Sequence, residues 1–150
     1  MAERMSYMSL LEKWCKLIKP KRILEWGPGD STLFMRNWCP DAEITTVEHL
    51  EWYYNDWKKR MQKNNIKTLF FKGTEKIAPD KYCNPPLKGK FDLIFVDGRR
   101  RVDCLYTAAK HIYKFGVVIL HDSERPEYNE GKNIFEIIEE RDGTCVMKLP

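Results

Sequence analysis

Four short stretches of the chain hold residue types that could do chemistry together. In Glu25-Trp26-Gly27-Pro28-Gly29 two glycines follow an acid; Glu48 is followed by His49, Asp97 by Gly98, and His121 by Asp122. Glycines let the backbone approach a ligand closely, and a helix starting just beyond them presents unpaired N–H groups and a positive dipole end to an anionic group. A carboxylate such as Glu48 accepts two hydroxyl protons at once, which suits a diol. Asp97, His121 and Asp122 combine two hard oxygen donors with an imidazole. Three readings of this trio stay open: a divalent metal held by Asp97 and Asp122, a general base at His121, or residues that only cap turns.

These residues must be positioned by strands and helices, and the apolar pattern supplies them in alternation. Met8, Leu11, Cys15 and Ile18 recur at helical spacing, so a helix is expected from about 5 to 18, stopped before Pro20. Arg22 to Trp26 reads as a strand that ends in the Gly-Pro-Gly turn, and Asp30 or Ser31 caps a helix running to about Trp38. Glu43 to Glu48 is a second strand followed by a helix from about Leu50 to Lys63, and Lys67 to Phe71 is a third. Residues 72–90 read as irregular and as one wall of a cleft. Further on come a strand over Phe91 to Val96, a helix over Val102 to Tyr113 and a strand over Gly116 to Leu120. A short helix over Ile134 to Glu140 and a strand over Thr144 to Leu149 complete the chain.

This alternation predicts an α/β fold: a Rossmann-like three-layer sandwich whose mostly parallel sheet carries helices on both faces. With one strand counted after the fifth, the sheet is expected to be shortened at its C-terminal edge, and that bare edge points to a homodimer. Ligands on such sheets lie beyond the carboxyl ends of the strands, where Gly27, Glu48, Asp97 and His121 fall. Asp92, near the start of its strand, is read as structural.

The ordered motifs resemble those of the class I S-adenosylmethionine-dependent methyltransferases. The first motif of that family, acid-x-Gly-x-Gly, matches Glu25-Trp26-Gly27-Pro28-Gly29. Thr46 to Tyr53 looks like the second motif and Phe91 to Gly98 like the fourth. The resemblance implies that Ile23 to Thr32, with Glu25, Gly27, Gly29, Asp30, Ser31 and Thr32, holds S-adenosylmethionine, and that Glu48 pairs with the ribose hydroxyls. It further implies that His49 or Leu50 covers the adenine and that Asp97 lies beside the cofactor. Where the family commonly has Gly-Asp-Ala after the third strand, this chain reads Gly73-Thr74-Glu75, so adenine contacts fall to Thr74 or Glu75. A dinucleotide fingerprint would need a third glycine where Thr32 stands, which argues against a nicotinamide dehydrogenase.

The metal-dependent O-methyltransferases of this fold hold a cation with acids at the fourth and fifth strand ends, and Asp97 and Asp122 match those places. The segments around Asp97 and His121 also resemble methyltransferase-like proteins of the family usually numbered 24. Asp97, His121 and Asp122 are thus the candidate catalytic residues; Arg99, Arg101 and Arg125 could form a clamp for an anionic group on the acceptor, with Arg99 and Arg125 the candidate substrate-binding residues. The expected activity is methyl transfer to an oxygen of a small molecule or glycan. A methyltransferase-like scaffold that binds the cofactor without turnover is the alternative.

Length and composition agree with one domain over residues 1–150. The chain is 43% hydrophobic and 32% charged, with 26 basic and 22 acidic residues for a net charge of +4. That balance does not identify a nucleic-acid partner. No apolar run approaches the roughly 20 residues of a membrane helix, and the N-terminus lacks a signal-peptide pattern, so a cytoplasmic protein with no membrane partner is expected. The 5 cysteines are scattered without a Cys-x-x-Cys pair, which suits reduced thiols and no structural zinc.

Overall fold

The computed structural model describes residues 2–150, with side chains from Met8 onward. The strands are β1 (Arg22–Trp26), β2 (Glu43–Glu48), β3 (Ile66–Phe70), β4 (Phe91–Val96), β5 (Ile112–His121), β6 (Glu136–Arg141) and β7 (Thr144–Lys148). Helix α1 (Ala2–Ile18) precedes them; α2 (Asp30–Trp38), α3 (Glu51–Lys63), α4 (Asp80–Cys83) and α5 (Arg101–His111) connect the parallel strands, and α6 (Asn129–Lys132) lies between β5 and β6. One seven-stranded sheet results, in the order β3-β2-β1-β4-β5-β7-β6. Its first five strands are parallel, β7 runs antiparallel to β5, and β6 runs antiparallel to β7.

The near-continuous apolar strands have helices on both sides, as a mainly parallel sheet demands. Along β4, Leu93 and Phe95 pack with Leu11, Met35 and Met61 from α1, α2 and α3. Ile94 and Val96 face the other way, into a core with Tyr82, Cys104 and Leu105 from α4 and α5. The two cores make the sandwich three layers deep. At the start of β4, Asp92 accepts hydrogen bonds from the backbone N–H groups of Lys21 and Arg22 at 3.0 and 2.9 Å, a structural role far from the strands' carboxyl ends.

The C-terminal region departs from the sequence reading. Residues expected as a helix over 134–140 form β6 instead, so two strands follow β5 and the sheet is not shortened. A register shift between Ile137 and Glu139 is the cause. The bulge breaks the alternation of period two, leaving Ile137-Ile138 and Glu139-Glu140 as adjacent pairs that mimic helical spacing. The bare edge that suggested a dimer is therefore covered, and the outermost strand carries Glu136, Glu139, Glu140 and Arg141, charges of the kind that discourage edge pairing. Helix α5 also ends at His111, because β5 begins four residues before the expected Gly116.

Between β1 and β4 the chain order reverses, and a crevice opens at their carboxyl ends. Its floor is backbone against backbone. The Asp97 N–H donates to the Trp26 carbonyl at 3.0 Å, and a Cβ on Gly27, whose φ is +84°, would lie 2.2 Å from the Asp97 carbonyl oxygen. Beneath the same turn, Glu25 is 0% exposed. Its carboxyl group accepts from the Ser31 hydroxyl at 2.5 Å and from the Thr32 hydroxyl, while Thr32 Oγ1 accepts from the Gly29 N–H at 3.0 Å. Burial outweighs these hydrogen bonds and pushes the Glu25 pKa up to about 8.

Two outcomes follow for stability. Gly27→Ala combines a left-handed backbone with a clash against main chain and is expected to cost about 2–4 kcal/mol in urea denaturation. Gly89→Ala, at φ +72° but facing only the end of the Arg22 side chain, should cost about 1 kcal/mol; equal midpoints for the two variants would refute the steric account. Glu25 binds its proton more tightly when folded, so its contribution is fully present below the unfolded value near 4.5 and is lost as pH rises through about 8. Glu25→Gln, which keeps one acceptor and cannot ionise, should flatten the fall in stability between pH 5 and 9 (roughly the span of that linkage); an unchanged slope would contradict a buried, titrating Glu25.

Candidate functional site

A cleft of about 410 Å³ occupies the crevice, within the range of about 300–1,000 Å³ usual for small-molecule sites. Gly27 and Pro28 of the β1–α2 turn form one side of it. Glu48, His49 and Leu50 after β2, with Tyr53 from α3, form another. Tyr82 of α4, then Asp97, Gly98 and Arg99 after β4, Arg101 of α5 and Arg125 after β5 complete the wall.

At the β2 end, one carboxylate oxygen of Glu48, Oε2, accepts the N–H groups of His49 and Leu50 at 2.7 and 2.8 Å. Those bonds fix the carboxylate and leave acceptor capacity for hydroxyl donors in the cleft. His49 is 3% exposed; its Nδ1 lies 3.4 Å from Glu48 Oε2, and neither ring nitrogen makes a well-aligned hydrogen bond. Burial lowers its pKa, with Glu48 opposing, so the ring is neutral at physiological pH and offers one donor and one acceptor. The Tyr82 ring meets the imidazole edge-on at 4.9 Å, and the Tyr82 hydroxyl accepts the Arg99 N–H at 3.0 Å. Trp26 Nε1 donates to the Tyr82 carbonyl at 2.7 Å and anchors this wall to β1.

At the β4 and β5 ends, Asp97 and His121 are joined: His121 Nδ1 lies 2.9 Å from Asp97 Oδ1. Burial disfavours a charged imidazole here, but the hydrogen bond to Asp97 and the charges of Asp97 and Asp122 outweigh it and raise the His121 pKa. Arg101 Nη2 is 3.3 Å from Asp97 Oδ1 and Nη1 is 3.5 Å from Asp122 Oδ2. Arg125 Nη2 is 3.4 Å from the same Asp122 oxygen. Two residues at this end of the cleft, Arg100 and Asp122, hold left-handed backbone at φ 47° and 54°, a conformation that costs energy outside glycine.

Of the residues singled out in the sequence, Gly27, Glu48, His49, Asp97, Arg99 and Arg125 line the cleft, and His121 and Asp122 stand behind Asp97 and Arg101. Glu25, Gly29, Asp30, Ser31 and Thr32 do not line it; they build the turn and first helical residues beneath. Thr74 closes its own loop by accepting from the Ile77 N–H at 3.0 Å, and Glu75 accepts from Trp52 Nε1 at 3.1 Å, both outside the lining. Sequence reasoning named Arg101 beside Arg99 and Arg125 as a candidate anion clamp, and the structure places it in the wall with its guanidinium against Asp97 and Asp122. Tyr53 and Tyr82 were missed as wall residues; Tyr82 carried no signal, because residues 72–90 show no periodicity.

No family model and no curated protein sequence matches the chain. Solved structures do match over nearly its whole length. The SAH-bound methyltransferase PaMTH1 of Podospora anserina superposes with a TM-score of 0.73 at 18% identity, covering 96% of this chain and 78% of its own. The N-methyltransferase NodS of Bradyrhizobium japonicum gives 0.69 at 13% identity, covering 99% and 96%. A methyltransferase-like protein of Silicibacter pomeroyi gives 0.70 at 15%, covering 93% and 84%. Likeness at such identities is one of fold, and the strand order, the crevice and these neighbours agree: this chain has the fold of the class I S-adenosylmethionine-dependent methyltransferases.

Proposed function

We propose that the chain is a single S-adenosylmethionine-binding domain that transfers the methyl group to an oxygen of a small anionic molecule or glycan. One observation carries this reading: the fixed carboxylate of Glu48 lines the same cleft as the Gly27-Pro28 turn, at the crevice where β1 and β4 diverge. Glu48 would accept the ribose hydroxyls. His49, buried in the wall with no well-aligned hydrogen bond to either ring nitrogen, suits the edge of an adenine. The backbone at Gly27 and Pro28 would accommodate the methionine portion, and Asp97 would face its positive charge. SAH in PaMTH1 and the N-methyltransferase activity named for NodS support a cofactor of this class on this fold.

The cofactor supplies a methyl carbon already activated by a sulfonium, so the protein has to align the acceptor and take its proton. As the acceptor oxygen bonds to the methyl carbon, the carbon–sulfur bond breaks and its electron pair stays on sulfur. The hydroxyl proton passes to the Asp97–His121 pair, which is joined by one hydrogen bond. Arg99 and Arg125, exposed at the rim of the cleft, would hold a carboxylate, sulfate or phosphate on the acceptor.

Calorimetric titration with S-adenosylmethionine is the direct test, and wild-type protein should also melt higher at saturating cofactor, by about 2.7 kcal/mol at a hundredfold excess over Kd. Glu48→Ala should weaken binding by about 10- to 100-fold while leaving the fold intact, as expected for lost hydrogen bonds to a charged group; undiminished affinity would remove Glu48 from the site. In methyl-transfer assays over a panel of hydroxy acids and phosphorylated or sulfated sugars, the rate should rise with pH through the raised His121 value, above about 6.5. Arg99→Ala and Arg125→Ala should raise KM for the acceptor without changing cofactor affinity; unchanged KM in both would dismiss the clamp.

A further inference from the structure

Asp97, His121 and Asp122 offer ligand atoms that all lie within 4.8 Å of one another, a donor set suited on paper to a divalent transition metal. The resemblance to metal-dependent O-methyltransferases makes a cation at this place the natural expectation. The neighbouring arginine decides otherwise. We infer that the cation of this cluster is the guanidinium of Arg101, which occupies the space between the two carboxylates and makes the site independent of metal.

The geometry leaves little choice. A metal needs carboxylate oxygens at about 2.0–2.6 Å, and the oxygens turned toward the centre of the cluster are Asp97 Oδ1 and Asp122 Oδ2. Both are engaged with Arg101, at 3.3 and 3.5 Å, and Asp97 Oδ1 also meets His121 Nδ1 at 2.9 Å. Arg101 cannot yield this place without loss. Its Nε donates to the Gly98 carbonyl at 2.9 Å and its Nη1 to the His121 carbonyl at 2.6 Å, so the planar fork ties the end of β4 to the end of β5. Its side chain is only 11% exposed, and turning it outward would strip both carbonyls of their donor.

Charge points the same way. The two carboxylates are balanced by Arg101 and by Arg125, whose Nη2 lies 3.4 Å from Asp122 Oδ2. A dication would enter a cluster whose two carboxylates are already balanced by two guanidinium groups, beside one that cannot lose its proton. Arg101 is thus a positioning residue: it sets the Asp97–His121 hydrogen bond from one side and holds Asp122 in place wherever the carboxylates are ionised, whatever the metal concentration. This inference concerns the charge cluster and stands apart from the methyl-transfer reading, because its test needs no cofactor.

The test is titration with Mn²⁺, followed by the paramagnetic resonance of the free ion, and with Mg²⁺, followed by calorimetry. Wild-type protein should show no saturable uptake up to millimolar metal, and its melting temperature should be the same before and after dialysis against EDTA. Arg101→Met, which keeps the stem and removes the charge, should gain at least about tenfold in Mn²⁺ affinity, and the gain should vanish in the double variant with Asp122→Asn. Saturable binding of one Mn²⁺ or Mg²⁺ by the wild type that is lost in Asp122→Asn would overturn the inference. So would an Arg101→Met protein with a native circular dichroism spectrum and no gain in affinity. Where Arg101→Met fails to fold, the wild-type titration decides alone.

Discussion

Where β1 and β4 end, two stretches of backbone come within hydrogen-bonding distance: the Asp97 amide donates to the Trp26 carbonyl, and position 27 lies so close to the Asp97 carbonyl that only hydrogen fits as its side chain. The rest of the site depends on that approach. It brings the first residue beyond β1 against the first residue beyond β4 at the point where helices depart to opposite faces of the sheet. The crevice is therefore floored by peptide groups, and side chains enter it only from the rim. A residue larger than glycine at position 27 would push the β1 turn away from Asp97 and open a gap in the floor.

Three acids stand near this floor, and their surroundings give them different states. Glu25 points under the first turn of α2, has no contact with water and holds its proton past neutrality, serving as a structural acceptor for Ser31 and Thr32. Glu48 is also buried, but two backbone N–H groups converge on one of its oxygens and fix its orientation at the cleft. Asp97 opens to the cleft between an imidazole and a guanidinium. The same functional group thus appears as a neutral support, a fixed acceptor and a partner of an imidazole and a guanidinium, and environment alone separates the three.

The ends of β4 and β5 are coupled through one side chain. Arg101 reaches from the first turn of α5 to carbonyl groups after β4 and at the end of β5 while its outer nitrogens meet the acids beside them. The preceding residue, Arg100, takes up left-handed backbone at the entry to the helix, and Asp122 does the same as the chain leaves β5. Backbone strain at both places aims the cluster inward, and the hydrogen bonds of Arg101 hold it there. Glu48 and His49 on the other side need no such brace, because β2 delivers them at the end of a continuously buried strand.

The succession of the first five strands along the chain, the turn at Gly27 and the carboxylates at positions 48 and 97 were legible in the sequence, since each depends on local pattern: apolar runs of strand length, glycines at a turn, an acid at a strand end. What was not legible depends on contacts between segments far apart. The strand over Glu136–Arg141 was hidden because a bulge against β7 breaks its alternation, and the bulge exists only when the partner strand is in place. Glu25 looked like a ligand contact by its spacing from the glycines, yet the alternation of β1 turns it under α2, where burial rather than spacing sets its state. Tyr82 entered the wall from a loop with no pattern, carried there by the bond from Trp26. By itself the sequence determined which residues could meet beyond the strand ends; only the tertiary structure decided that Arg101 stands between the acids at the ends of β4 and β5, because the balance of charge in a cluster is set by distance in space and not by order along the chain.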